Sequence, residues 1–175
     1  LTQESALHFL INVSLQQPHA SHCIVAIADE LGQHKAGIGD IRELVELRIE
    51  HYTETPGENR NESFAAIAAE METCIHANLL FVAKDASDIC SVLQVIYDEA
   101  EIPMISYLFT TRAKRNQGFA FSLLCAVSAT LLAKPPHRCG FIWHKAWKFS
   151  PDIFIRAGYK PVCELACVHK KELLG

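Results

Sequence analysis

Neither a G-x-G-x-x-G fingerprint, nor a Gly-Lys-Ser/Thr step, nor a Cys-x-x-Cys pair occurs in this 175-residue sequence. Their absence excludes the dinucleotide-binding fingerprint, the P-loop and the simplest thiolate metal sites. Charge of one sign is also missing: 16 Lys and Arg stand against 20 Asp and Glu, a formal net charge of −4. Such a balance gives no global pull toward nucleic acid. The cysteines at 23, 74, 90, 125, 139, 163 and 167 are odd in number, scattered and mostly set in apolar runs. They read as buried free thiols of a reducing, cytoplasmic setting, with no metal expected. The opening LTQESALHFL has no basic stretch ahead of its apolar residues, so it does not read as a signal peptide. Residues 116–133 form an uncharged run near spanning length, but Ser122, Ser128 and Thr130 within it favour a central buried helix over a membrane segment. No nucleic-acid or membrane partner is therefore expected.

What is present is a globular composition, 50% hydrophobic, long enough for one domain with a real core. Residues 1–20 carry Ala6, Leu10 and Val13 at helical spacing, and Gln17-Pro18-His19 would end a short amphipathic helix there. A first strand is expected at His22 to Ala28 (HCIVAIA), or as a shorter one near Gln33 to Ile38. Asp40 is placed to cap a helix with Ile41, Leu44, Val45, Leu47 and Ile49 on one face. After the polar stretch 53–60, Phe64, Ile67, Ala68, Met71 and Ile75 define a second helix. The pattern then changes to strands at Leu79 to Lys84 and Ile89 to Tyr97, joined by the turn Asp85-Ala86-Ser87-Asp88. A third strand, Met104 to Thr111, precedes the helical run Phe121 to Ala133. Lys134-Pro135-Pro136-His137 stops that helix. Cys139 to His144 reads as a strand, residues near 150–157 as a short helix ended by Gly158, and Tyr159 to Val168 as the last strand.

The chemistry concentrates where the third strand turns into the long apolar helix, at Arg115-Asn116-Gln117-Gly118-Phe119-Ala120. The N-terminus of a helix leaves amide N–H groups without intrahelical partners and carries partial positive charge, which together favour an anion. Gly118 can take a backbone conformation closed to other residues and lets a ligand approach the main chain. Arg112, Lys114 and Arg115 place three cations beside it. A phosphate-bearing ligand is the expectation.

The segment resembles the pyrophosphate-binding motif of the GCN5-related N-acetyltransferases, Arg/Gln-x-x-Gly-x-Gly/Ala, with Arg115, Gly118 and Ala120 at the defined positions. The order of elements from residue 40 onward is similar to that family's, and DIRELVELR, FVAKDASD and IRAGYKPV resemble its first helix, its second strand and hairpin, and its "lGFkp" segment. The resemblance covers roughly residues 36–165. It implies an α/β (α+β) fold with a mixed, mostly antiparallel central sheet, splayed strands and flanking helices. Residues 36–175 would form this domain, with 1–35 as an N-terminal segment of the same compact unit.

The resemblance further implies acetyl-coenzyme A as co-substrate and direct attack of an amine on its thioester. The coenzyme's arm would lie between Ile105–Thr111 and Cys139–His144, against main-chain groups of Leu108, Phe109 and Thr110. Arg112, Arg115 and Asn116, with amides of Gln117, Gly118, Phe119, Ala120 and Phe121, would hold its pyrophosphate. Many members carry a tyrosine acid four residues before the glycine of the "GF" dipeptide, where this sequence has Phe154, while Tyr159 sits where the family has a core phenylalanine. The third strand offers no carboxylate base, which leaves Tyr107 and His144 as the catalytic candidates. His51, Glu54 and Trp143 are candidates to line the acceptor pocket. The expected partner is a small-molecule or protein amine, and a homodimer is admissible.

Overall fold

A computed structural model describes residues 5–13, 33–55, 62–86, 88–97, 101–144 and 152–167, with backbone alone for 5–13, 33–34, 143–144 and 161–167. The elements in chain order are β1 (Ser5–Val13), β2 (Gln33–Lys35), α1 (Ile41–Glu54), α2 (Phe64–His76), β3 (Leu80–Asp85), β4 (Asp88–Tyr97), β5 (Pro103–Thr110), α3 (Phe119–Leu132), β6 (Arg138–His144), α4 (Asp152–Arg156) and β7 (Lys160–Cys167). One seven-stranded sheet runs in the order β2-β3-β4-β5-β6-β1-β7. Only the β5–β6 pairing is parallel; the others described are antiparallel. The expected mixed, mostly antiparallel architecture is thus present.

Two cores sandwich the sheet. On one face Leu44, Val45, Leu47 and Tyr52 of α1 and Ile67, Met71 and Cys74 of α2 pack on Val82, Val92, Tyr107 and Phe109. On the other, Leu123, Leu124 and Val127 of α3 meet Leu93, Val95, Ile105 and Phe141. β4 is buried from Ile89 to Val95 because both faces are covered. Ile67, Met71 and Cys74 sit at the i, i+4, i+7 spacing of one helical face, and Ser63 caps that helix by accepting from the Ala66 N–H at 3.2 Å. Ile49 and Phe64, expected on the buried faces, are exposed. On α1 the inner stripe runs through Leu44, Arg48 and Tyr52 instead, each four residues from the last.

The N-terminal segment corrects one expectation. Residues 5–13 are a strand, not a helix, inserted between β6 and β7 and antiparallel to both, with Leu10 opposite Phe141 on one side and Ala6 opposite Ala166 on the other. Leu7, Phe9, Ile11 and Val13 also recur every second residue, so the run fits a pleat as well as a helix. Two neighbouring strands that would otherwise expose hydrogen-bonding edges decide between them. The short strand near residue 33 is the second of the two places expected for an early strand; His22 to Ala28 lies outside the described residues. Cys74, Cys90, Cys125 and Cys139 are buried and free. Among the described residues no helix is long and apolar enough to cross a membrane.

Candidate functional site

β5 keeps register with β4 from Pro103 to Thr110, apart from a bulge that leaves Ser106 between Ile105 and Tyr107. Its other edge pairs with β6 only at Met104–Gly140 and Ile105–Phe141. Beyond that point the two strands part, and a gap opens toward the C-terminal end of β5. The Thr111 N–H donates to the Cys90 carbonyl of β4 at 3.0 Å, and the Ser91 hydroxyl donates to the Phe109 carbonyl at 2.9 Å. Alternation along a strand then turns the main-chain groups of Tyr107 and Phe109 to β4, and those of Leu108 and Thr110 into the gap. Phe109 contributes its ring to the cleft rather than its amide.

The gap ends at the start of α3. A single 3-10 turn, Arg112–Lys114, leads through Asn116 (φ 62°) and Gly118 (φ 91°, left-handed) into the helix. No side chain caps this terminus. The first intrahelical bond runs from Ser122 to the Gly118 carbonyl at 3.0 Å, so the amides of Phe119, Ala120 and Phe121 precede the helical ladder. A Cβ on Gly118 would meet no atom within 4 Å. The space above it is open, and glycine is there for its backbone angle. Phe119 is buried and anchors the turn from below. The residues present therefore fit a phosphate group: free amides, a helix dipole, open space and flanking cations.

A cleft of about 840 Å³ joins the gap to this helix start. His51, Glu54 and Thr55 of α1 and its end form one side, Leu108–Thr110, Lys114–Asn116 and Gly118–Phe121 the floor and loop, and Ile153 and Arg156 of α4 the other side. The cations are tied to carboxylates from distant elements. Glu54 bridges Arg112 at 2.9 Å and Arg115 at 2.5 Å, while Lys114 meets Asp85 at 2.5 Å. Arg115 also donates through Nε to the Thr110 carbonyl at 3.1 Å and lies 5.3 Å from the centre of the Phe109 ring. Burial works to raise the Glu54 pKa, but the hydrogen bonds and charges of Arg115 and Arg112 outweigh it and hold the carboxyl below its ordinary value. Arg156 lies 4.9 Å from the centre of the Phe121 ring, across the cleft from Glu54.

On the α1 side a buried cation organises the neighbourhood. Arg48 donates to the Gln94 side-chain oxygen at 2.6 Å and to Glu70 at 3.2 Å, and its guanidinium stacks 4.0 Å above the Tyr107 ring. One turn along the helix, the His51 imidazole stands edge-on to Tyr107 (4.8 Å) and Phe109 (5.4 Å). Burial first, and then the charge of Arg48, lower its pKa from 6.5 to about 4, against an opposing pull from Glu54. The ring is neutral at pH 7.

The sequence-expected residues separate into three groups. Leu108, Phe109, Thr110, Arg115, Asn116, Gly118, Phe119, Ala120, Phe121, His51 and Glu54 line the one cleft. Arg112 and Gln117 stand at its rim, the former on Glu54 and the latter donating to the Ala113 carbonyl at 3.1 Å. Tyr107, expected as a catalytic candidate, is 4% exposed and covered by Arg48, and its hydroxyl points to the Leu47 carbonyl at 3.5 Å under α1. The side chains of Trp143 and His144 lie outside the described residues; their backbone pairs with His8 and Leu7 of β1. Phe154, where the sequence resemblance led us to expect an acid, is 1% exposed and stacked on Phe141 at 3.6 Å between ring centres. Tyr159 cannot stand in for it. Its hydroxyl is buried between Ser128 (2.7 Å) and Cys139 (3.1 Å), and burial pushes its pKa well up. Sequence reasoning missed Thr55, Ile153 and Arg156 as cleft residues, and the only available signal was the proximity of α4 to the splayed strands.

Comparison with solved structures places this geometry. A GNAT-family acetyltransferase from Colwellia psychrerythraea superposes with a TM-score of 0.66 over 94% of this chain, at 11% identity. A GCN5-related N-acetyltransferase from Sphaerobacter thermophilus gives 0.66 over 93%, at 14% identity. The chain has the GCN5-related N-acetyltransferase fold. It spans 55% and 50% of those two proteins' own lengths. A predicted acetyltransferase with acetyl-CoA from Clostridium acetobutylicum is matched over 89% of its length, with 74% of this chain covered, a TM-score of 0.56 and 17% identity. No family model matches the sequence, and no curated protein does.

Proposed function

We propose that this chain belongs to the GCN5-related N-acetyltransferases and moves an acetyl group from acetyl-coenzyme A to a primary amine of a small molecule or protein by direct attack. The observation that carries the reading is the parting of β5 from β6 after Ile105, with the uncapped, glycine-led start of α3 at its end. A strand edge with free N–H and C=O groups at Leu108 and Thr110 suits the amide-bearing arm of the coenzyme. The amides of Phe119–Phe121 suit its pyrophosphate, with Arg112, Arg115 and Asn116 beside them. The buried free thiols fit a reducing, cytoplasmic setting.

The test is thermal stabilisation by coenzyme A, followed by thiol release from acetyl-coenzyme A with a panel of amines. Saturating coenzyme A raises Tm in the native chain and raises it by less after Gly118→Leu. No stabilisation of the native chain overturns the reading. A second reading, a binding module that holds the acyl-coenzyme without turnover, is favoured by the burial of Phe154 in the core. It predicts stabilisation without thiol release.

A further inference from the structure

The cations of the loop before α3 are already engaged. Glu54 pairs with Arg112 and Arg115, and Asp85 with Lys114, so carboxylates from other elements answer all three. Arg115 is held further by its Nε bond to the Thr110 carbonyl. Arg156 on α4 differs. It is exposed, lines the cleft, and pairs with no carboxylate among the described residues. Its guanidinium lies over the ring of Phe121, 4.9 Å from the ring centre. Its charge is also felt one turn further along α3, at the Cys125 thiol, which burial raises to about 11 and Arg156 works to lower. Phe121 is the third residue of α3, and its amide is one of the three that precede the helical ladder.

The residues of α4 explain why this arginine faces the cleft. Phe154 is buried against Phe141 and so fixes how the short helix rolls on the sheet. Ile153 and Arg156, three residues apart, then share the side that lines the cleft. Ile153 packs on the core, while Arg156 reaches across to α3. A guanidinium stacked by its face on a ring keeps its in-plane N–H groups for an oxyanion. Phe121 thus offers an amide to an anion and a platform to the cation that would meet the same anion.

We propose that Arg156 is a diphosphate-binding residue, closing from α4 on a coenzyme diphosphate seated on the amides of Phe119, Ala120 and Phe121. This assignment rests on the acetyl-coenzyme A reading above, and adds a contact from outside the Arg115–Ala120 motif. An anion between α3 and α4 meets main-chain donors on one side and a carboxylate-free cation on the other. Charge-assisted hydrogen bonds of this kind are stronger than neutral ones, and the planar fork of arginine fits two phosphate oxygens at once. The loop cations, shared with Glu54 and Asp85, have less charge to give to the same group.

The experiment is titration calorimetry of the native chain, Arg156→Ala and Arg156→Lys, at low and high salt. The ligands are coenzyme A and its dephospho form, which lacks the ribose phosphate but keeps the diphosphate. Arg156→Ala should lose about tenfold in affinity for both ligands. Arg156→Lys keeps the charge without the planar fork, and should stay within about threefold of native for both. Affinity should fall more steeply with salt in the native chain than in Arg156→Ala. Affinity of Arg156→Ala within about twofold of native would overturn the assignment. So would equal losses in the alanine and lysine variants, an unchanged salt dependence, or a loss seen with coenzyme A and not with its dephospho form. Failure of the native chain to bind either ligand instead removes the reading on which the assignment rests.

Discussion

The two ends of the cleft are made of different material. The end at α3 is main chain: a strand edge, a left-handed glycine and three helix-start amides, contributed by one continuous segment from Leu108 to Phe121. The end at α1 is side chain: His51 and Glu54 from one helix, Arg48 beneath them, Glu70 from a second helix and Gln94 from a strand. A main-chain site tolerates wide sequence change, because backbone amides are supplied by every residue except proline. A side-chain site is rewritten by single substitutions. The first end is therefore suited to a constant ligand and the second to a variable one. Phe154 and Tyr159 add a third lesson, since positions linked with acid chemistry can be absorbed into the core without disturbing either end.

The sharpest way to break this contrast is at Gly118. Leucine there must adopt φ 91° and projects into the open space above the helix start. Coenzyme A affinity should fall by tenfold or more, about 1.4 kcal/mol per decade, with titration calorimetry as the measure. Unchanged affinity would show that the main-chain end does not hold the ligand.

Phe154→Tyr tests whether the core position retains any link to the chemistry. The added hydroxyl enters a packed stack with Phe141, and an unsatisfied buried hydroxyl costs about 1–3 kcal/mol. Denaturant unfolding should show that loss with no gain in thiol release. A faster reaction would mean that position 154 does reach the departing sulfur.

Glu54→Gln probes the join between the two ends. Removing the carboxylate frees Arg112 and Arg115 for phosphate, and exposed ion pairs are worth about 0–1 kcal/mol. Coenzyme A should bind about two- to fivefold more tightly by calorimetry. Weaker binding would show instead that Glu54 holds Arg115 in its working position.

The smallest effect is in stability against pH. His51 has its pKa depressed in the folded chain, so between about pH 6.5 and 4 the unfolded chain takes up a proton that the folded one refuses. Its contribution is complete above 6.5 and is lost as pH falls through that window. His51→Gln should show a shallower decline in urea-unfolding free energy there. Glu54, also depressed, gives a loss in the same direction at lower pH as its carboxylate protonates.

Much of the main-chain end was legible in the sequence, because it is local. A β-rich run, a glycine and an apolar helix follow one another within 30 residues, and backbone geometry does the rest. The element order was legible for the same reason, through periodicity and turn residues. Residues 5–13 were not, since Ala6, Leu10 and Val13 satisfy a helix while Leu7, Phe9, Ile11 and Val13 satisfy a strand, and only pairing with β6 and β7 selects. The side-chain end was legible only as a set of candidates. Nothing in the spacing of Glu54 and Arg115, 61 residues apart, announces their ion pair. Nor does Tyr107 reveal that Arg48 covers it.

The most direct test of the splayed-strand cleft is amide hydrogen exchange with and without coenzyme A, resolved to single residues by NMR. Leu108 and Thr110 on the open edge, and Phe119, Ala120 and Phe121 at the helix start, should gain protection on binding. Tyr107 and Phe109, already turned to β4, should not change. Protection confined to other strands, or a response at Phe109 equal to that at Leu108 and Thr110, would contradict the account.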